Sequence, residues 1–356
     1  MNEKRMFIFY LSQFDLPASK VEMIIDKMEG DYTFSNFCRL KFDFISSQLQ
    51  SKMLELTDER FVKAYIENLE TLGINLICKL DREFPKKLLG IEDCPFFLFY
   101  KGDLSLLNMP SIAIVGTRMP TSYGRMVTEK FAGTLAKNNV AIISGLAYGV
   151  DTIAHRQSLE EGGKTIAVLG CGINNIYPAD HQDLANTIAQ KGLLLSEYCP
   201  STKATRYSFP ARNRIIAGLS DGVLITEAGI KSGTLYTRDY ALDFGKDVFA
   251  VPGNINNEKS MLPNEIICTG QGMGVTSPEQ ILQTLKIDVK DNKSVDAIQL
   301  SFEEDLICKA LQSSPQKIED LTIKTGLSIN NLNSYLTILE IRGIITRMLG
   351  GEYCLK

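Results

Sequence analysis

Between residues 60 and 285, short apolar runs alternate with longer amphipathic runs. This alternation constrains the fold more than any other feature. A run of four or five Val, Ile, Leu and Ala residues suits a strand buried on both faces, and the amphipathic stretch after it suits a helix crossing back over the sheet. The predicted strands are 112–115, 140–144, 165–169, 193–196, 222–226 and 247–251, with crossover helices such as 123–137 and 234–244 between them. Six strands joined this way predict a Rossmann-like, doubly wound α/β fold with a mainly parallel sheet. The stretch 68–103 extends that sheet or packs beside it.

The predicted core spans 59–285. Residues 1–58 show helical spacing, as in 21–25 and in Phe42-Asp43-Phe44-Ile45, and read as a small helical module. Residues 286–300 are polar and read as a linker. In 301–356, three helices (303–311, 317–324 and 330–342) precede strands 344–348 and 352–355, which flank Leu349-Gly350-Gly351. Three helices and a terminal hairpin describe a winged helix, with Ser328 as an N-cap.

Composition narrows the function. The formal net charge of −4 excludes a polybasic binder but not a local basic site. The eight cysteines form no CxxC pair, and there are only two histidines, so no metal site is expected. Scattered cysteines, with no signal peptide and no membrane span, lead us to expect a cytoplasmic protein. The dinucleotide fingerprint fails because Asn175 stands where the third glycine after Gly170-Cys171-Gly172 belongs. The phosphate loop fails because Ser158 takes the first glycine position ahead of Gly163-Lys164-Thr165. No cofactor is expected.

Ligands of open α/β sheets bind beyond the carboxyl ends of the strands. Small residues crowd those ends: Gly116-Thr117-Arg118, Ser144-Gly145-Leu146-Ala147-Tyr148-Gly149, Gly170-Cys171-Gly172 and Glu227 to Thr234, which includes Ser232-Gly233-Thr234. Several such turns on one edge favour an anionic ligand. Lys203, Arg206, Arg212 and Arg214 lie in a stretch with no Asp or Glu between Glu197 and Asp221. Guanidinium forks suit phosphates, and Tyr207 and Phe209 offer faces for stacking. Against this stands a solvated basic loop, or arginines pairing with Glu227 or Asp221. Asp151 and His155, one helical turn apart, are either an acid–base pair or a structural one.

These residues are familiar as a set. Ile112 to Arg118, Ser144 to Asp151 with Ala154-His155, Phe209-Pro210-Ala211-Arg212-Asn213-Arg214-Ile215-Ile216-Ala217, Glu227-Ala228 with Ser232-Gly233-Thr234-Leu235, and Ala250-Val251-Pro252-Gly253 resemble the DprA/Smf family over about 60–285. The resemblance implies a homodimeric, non-enzymatic protein that binds single-stranded DNA, protects incoming strands and loads the RecA recombinase in natural transformation. It implies that Arg118, Arg212 and Arg214 grip phosphates. Ser144, Gly145, Ser232, Gly233 and Thr234 would line a nucleotide pocket, Asn213 would bind the nucleic acid between the two arginines, and Lys203 and Arg206 would extend the groove. Residues 260–271 depart from the family pattern around Ser260 and Gly270. The winged helix holds six Lys/Arg against seven Asp/Glu, so a protein contact or auxiliary role suits it better than duplex reading. The alternative is a nucleotide-hydrolysing enzyme using Glu227, with Arg118 and Arg212 on a nucleotide phosphate. Transcriptional regulation through the winged helix is weakened by that domain's charge.

Overall fold

The computed structural model describes residues 2–287, 300–312, 314–348 and 350–355. Residues 288–299 of the expected linker lie outside them. By packing, residues 1–289 form one compact unit and 290–356 a second.

The first unit opens with five helices: α1 (Glu3–Leu11), α2 (Ala18–Lys27), α3 (Phe34–Arg39), α4 (Ser47–Glu55) and α5 (Glu59–Thr71). Side chains of Asn2, Thr33, Ser46 and Asp58 cap four of them by accepting from early backbone N–H groups. Phe7, Tyr10, Phe37 and Phe42 stack and meet edge to face beneath these helices. Phe42–Ile45 corrects an expectation: it is a turn between α3 and α4, not a helix. Phe42 and Ile45 are buried because the turn folds onto the aromatic cluster, so their apolar spacing records burial and not helical period. The same cluster runs on to Leu146, Ala167 and Leu169, so the helical layer shares a core with the sheet.

The remainder of this unit runs β1 (Asn75–Cys78), α6 (Lys86–Leu89), β2 (Phe97–Gly102), β3 (Ser111–Val115), α7 (Ser122–Lys137), β4 (Ala141–Ser144), α8 (Val150–Glu160), β5 (Thr165–Val168), α9 (Gln182–Lys191), β6 (Leu193–Ser196), α10 (Ser208–Leu219), β7 (Gly222–Ile225), α11 (Thr234–Asp243), β8 (Asp247–Ala250), α12 (Met261–Cys268), β9 (Met273–Gly274) and α13 (Pro278–Thr284). Nine strands form one sheet in the order β1-β2-β6-β5-β4-β3-β7-β8-β9. Strands β1 and β2 join antiparallel at one edge, and the rest are parallel. The six predicted strands are β3 to β8, and 68–103 supplies the antiparallel extension. Along β3, Ile112 and Ile114 face a cluster with Val127 and Phe131 of α7. Ala113 and Val115 face Ile215 and Ile216 of α10. Both faces are covered, which is why these strands read as unbroken apolar runs.

From β3 the chain winds through β4, β5 and β6 to one side, then returns across β3 to lay down β7. The carboxyl ends of β3 and β7 therefore flank the topological switch point, where open α/β sheets carry their ligand crevice.

The second unit comprises α14 (Phe302–Leu311), α15 (Ile318–Thr325), α16 (Ile329–Ile341), β10 (Ile345–Arg347) and β11 (Tyr353–Leu355). Strands β10 and β11 pair antiparallel, giving the expected winged helix. Ser328 caps α16 by accepting from Asn331 N, and Ser301 and Glu304 form a capping box on α14. Ile307, Leu321, Leu332, Leu336 and Ile345 make its own small core.

Candidate nucleic-acid interface

A cavity of about 700 Å³ opens at the switch point. The loop after β3 gives it Gly116, Thr117 and Arg118. The loop after β4 gives Gly145, Ala147 and Tyr148, and the loop after β7 gives Lys231, Ser232, Gly233 and Thr234. Helix α10 closes it with Phe209, Pro210, Arg212 and Asn213.

These loops are locked together by backbone. Thr117 N donates to Glu227 O at 2.7 Å, and Val150 N donates to Thr117 O at 3.2 Å. Gly149 adopts a positive φ of 77°, and a Cβ there would lie 2.4 Å from Thr117 O. Only glycine permits this approach. The Glu227 carboxylate is fully buried and accepts from Thr121 N (2.8 Å) and Thr121 Oγ1 (2.6 Å). It thus holds the start of α7, and it is not among the residues lining the cavity.

Asp151 and His155 do not pair with each other. Asp151 accepts from Gly145 N (3.1 Å) and Ala147 N (3.4 Å), fixing the β4–α8 loop, while burial pushes its carboxyl upward. His155 Nδ1 shares a 2.6 Å hydrogen bond with Thr165 Oγ1. Burial, helped by Arg212, pushes His155 down to about 3, so the ring is neutral in the fold.

Arg118, Gly145, Arg206, Arg212, Asn213, Ser232, Gly233 and Thr234 all line the cavity. Ser144 does not: it is buried, and its Oγ donates to Ile114 O at 2.7 Å. Lys203 is exposed and lies outside the lining. The two arginines of α10 part company. Arg212, 4% exposed, turns into the cavity, and its Nη1 donates to the carbonyls of Gly145 (2.8 Å) and Val168. Arg214 turns the other way into a bidentate ion pair with Glu197, at 2.6 and 2.8 Å. Asp221 pairs with Lys87, so neither Glu227 nor Asp221 holds an arginine.

Sequence reasoning passed over Lys231 and Lys259, which also line the cavity, and the faces of Tyr148 and Tyr177. Lys231 stands inside the small-residue turn that follows β7, which is a signal; nothing near Lys259 in the sequence marks it. Tyr148 donates to Asp180 Oδ2 at 2.9 Å and lies edge-on to His181. Tyr177 tilts against Phe209 with centroids 5.3 Å apart. The lining therefore carries five cations against two carboxylates, Asp151 and Glu258. Among the described residues, Arg118, Arg206, Lys231 and Lys259 form no ion pair. Unpaired cations beside aromatic faces can hold phosphates and stack bases.

The family model described as DNA recombination-mediator protein A matches residues 75–286, and the DprA winged helix domain matches 293–351. The chain belongs to the DprA/Smf family. The DNA processing protein DprA of Streptococcus pneumoniae is 44% identical over 203 residues, 57% of this chain and 71% of that protein. Protein Smf of Escherichia coli is 38% identical over 288 residues, 78% of this chain and 76% of its own. The crystal structure of the pneumococcal DprA matches with a TM-score of 0.66 and 33% identity, covering 80% of this chain and 98% of that one. The structure of DNA processing protein A from Helicobacter pylori, described for its single-stranded DNA binding mode, matches with a TM-score of 0.55 and 36% identity, over 61% of this chain and 97% of that one. Within the DprA/Smf family, then, this chain has the Rossmann-like core and the winged helix. Among the described residues no helix is long and apolar enough to cross a membrane, and no group of three or more His, Cys, Asp and Glu is placed to hold a metal.

Proposed function

We propose that this protein binds single-stranded DNA across the carboxyl edge of its sheet, without catalysis, and hands the strand to a RecA recombinase. One observation carries the reading. Arg118, Arg206, Lys231 and Lys259 converge on one cavity beside the faces of Tyr148, Tyr177 and Phe209, with no ion-pair partner among the described residues. Phosphate oxygens would supply the missing partners, and splayed bases would take the aromatic faces. Duplex DNA keeps its bases stacked inward and cannot use those faces.

The described single-strand binding of the Helicobacter pylori relative and the recombination-mediator family support this reading. The same support extends to finer proposals: a homodimer that joins two such edges into a longer track, action in the cytoplasm, and protection of strands entering during natural transformation. The winged helix serves as a protein contact or auxiliary element.

The test is fluorescence anisotropy with labelled poly-dT and a matched duplex at two salt concentrations. The single strand binds more tightly, and its affinity falls steeply with salt through counterion release. Arg118→Ala weakens it about tenfold with the fold intact. Equal affinity for both nucleic acids, or no effect of Arg118→Ala, would overturn the reading.

A further inference from the structure

Arg212 is the one cation of the cavity that is withdrawn from water, 4% exposed where Arg118 and Arg206 are exposed. Every bond it makes is to a neutral group. Nη1 takes the carbonyls of Gly145 and Val168, and Nε donates to Asn213 Oδ1 at 3.1 Å. Nη2 makes no hydrogen bond among the described residues, yet it is not one of the polar atoms sealed from solvent without a partner. It is therefore open where Arg212 lines the cavity. Asp151 is the carboxylate near enough to be felt, but its Oδ2 takes both Gly145 N and Ala147 N, burial works against its charge, and it forms no ion pair with Arg212. A buried guanidinium hydrogen-bonded only to neutral groups has no charged group in contact with it, and an anion at Nη2 supplies one.

A second feature points to the same place. Helix α11 begins at Thr234, with the hydroxyls of Ser232 and Thr234 2.9 Å apart at its N-terminus. The positive end of a helix attracts anions. Asn213 ties this terminus to the guanidinium: it accepts from Arg212 Nε and donates through Nδ2 to Gly233 O at 3.3 Å. Both anion-seeking groups are thus held in one hydrogen-bonded frame.

We propose that Arg212 and the start of α11 form a phosphomonoester subsite, which takes the terminal phosphate of a strand or a free nucleoside monophosphate. The proposal rests on the DNA-binding reading and deepens it. An internal phosphodiester must leave with chain on both sides, and a guanidinium buried this deeply has room for an end more readily than for a through-running strand. The cavity volume suits one small ligand. A monoester carries roughly −1.5 to −2 near neutral pH, against −1 for a diester, and gains more from an uncompensated cation.

The experiment uses the full chain and anisotropy competition against labelled poly-dT. Competitors are hexathymidylate with a 5′-phosphate, with a 3′-phosphate or with neither, together with dTMP and thymidine. One phosphorylated end binds at least fivefold more tightly than the unphosphorylated strand. The preference disappears in Arg212→Gln and shrinks in Ser232→Ala, a smaller change that does not open the core. Competition by dTMP and not thymidine identifies a free nucleotide as a source. A phosphorylated strand preferred while dTMP fails identifies the strand end. Equal binding of all three strands overturns the subsite and leaves the DNA-binding reading standing. Binding of none of them overturns both. Preference undiminished in both variants removes the subsite from Arg212 and α11.

Discussion

The carboxyl edge of the sheet and the winged helix are both candidate nucleic-acid surfaces, and they arrange charge differently. Among the described residues, the first leaves Arg118, Arg206, Lys231 and Lys259 without ion-pair partners around a cavity. The second pairs two of its cations, and Lys317, Lys324 and Arg347, which form no ion pair among the described residues, line no cavity there. Arg342 at the end of α16 bonds Glu304 of α14 at 3.1 Å, and Lys309 pairs with Asp305 one turn away. The exposed side chains of α16 that remain include Ile329, Ile338 and Ile341. Formal charge counted along a segment therefore says less about phosphate binding than whether unpaired cations converge on one place.

The sharpest test of this contrast is the double variant Arg118→Ala/Arg206→Ala. It loses about 2–3 kcal/mol of single-strand affinity, roughly a hundredfold, at two charge-assisted hydrogen bonds. Its log affinity against log salt also flattens by about 0.7 for each phosphate the variant no longer neutralises. Titration at several salt concentrations checks both numbers; an unchanged slope would place the phosphates elsewhere.

Next in size is Arg342→Ala. It leaves the buried carboxylate of Glu304 with Ser301 N but without its cation and lowers the stability of the winged helix by about 2 kcal/mol, less than a fully buried pair because Arg342 is 45% exposed. Single-strand affinity stays within twofold. Denaturant unfolding beside the DNA titration separates the two effects.

Acid distinguishes the units as well. His155 titrates near 3 when folded and near 6.5 when unfolded, so between those values the unfolded chain binds the extra proton. Stability then falls as pH drops below about 6.5, by roughly 1.4 kcal/mol at pH 5.5. His155→Gln removes that slope from the first unit. Residues 300–356 contain no histidine, so no such slope arises there. The smallest expected change follows removal of residues 300–356, which shifts single-strand affinity by less than twofold. A tenfold loss would make the winged helix a full partner in binding.

The parallel sheet was legible because both faces are buried, so strands such as Ile112 to Val115 stand out as apolar runs between glycine-rich turns. The turn at Phe42–Ile45 was not, since its side chains are buried by an aromatic cluster gathered from distant residues. The basic segment was legible as a segment, but the division of labour within it was not. Arg212 and Arg214 look equivalent in sequence, and on α10 they point to opposite sides. One meets neutral carbonyls from the loop after β4 and from β5, and the other meets Glu197, which lies just outside the acid-free stretch. Glu227 looked available for chemistry because it ends a strand; its two bonds to Thr121 depend on a loop 106 residues away.

The position of β3 between β4 and β7 also sets an order of assembly during synthesis. The edge of β3 that β7 covers stays unpaired until the chain has grown from Val115 to Ile225. At about 5–20 residues per second, that is several seconds or more with an apolar strand edge open. No nascent chain short of Lys259 carries every wall of the cavity. The proposed site for loose strands is thus incomplete until the central edge of the sheet has been closed.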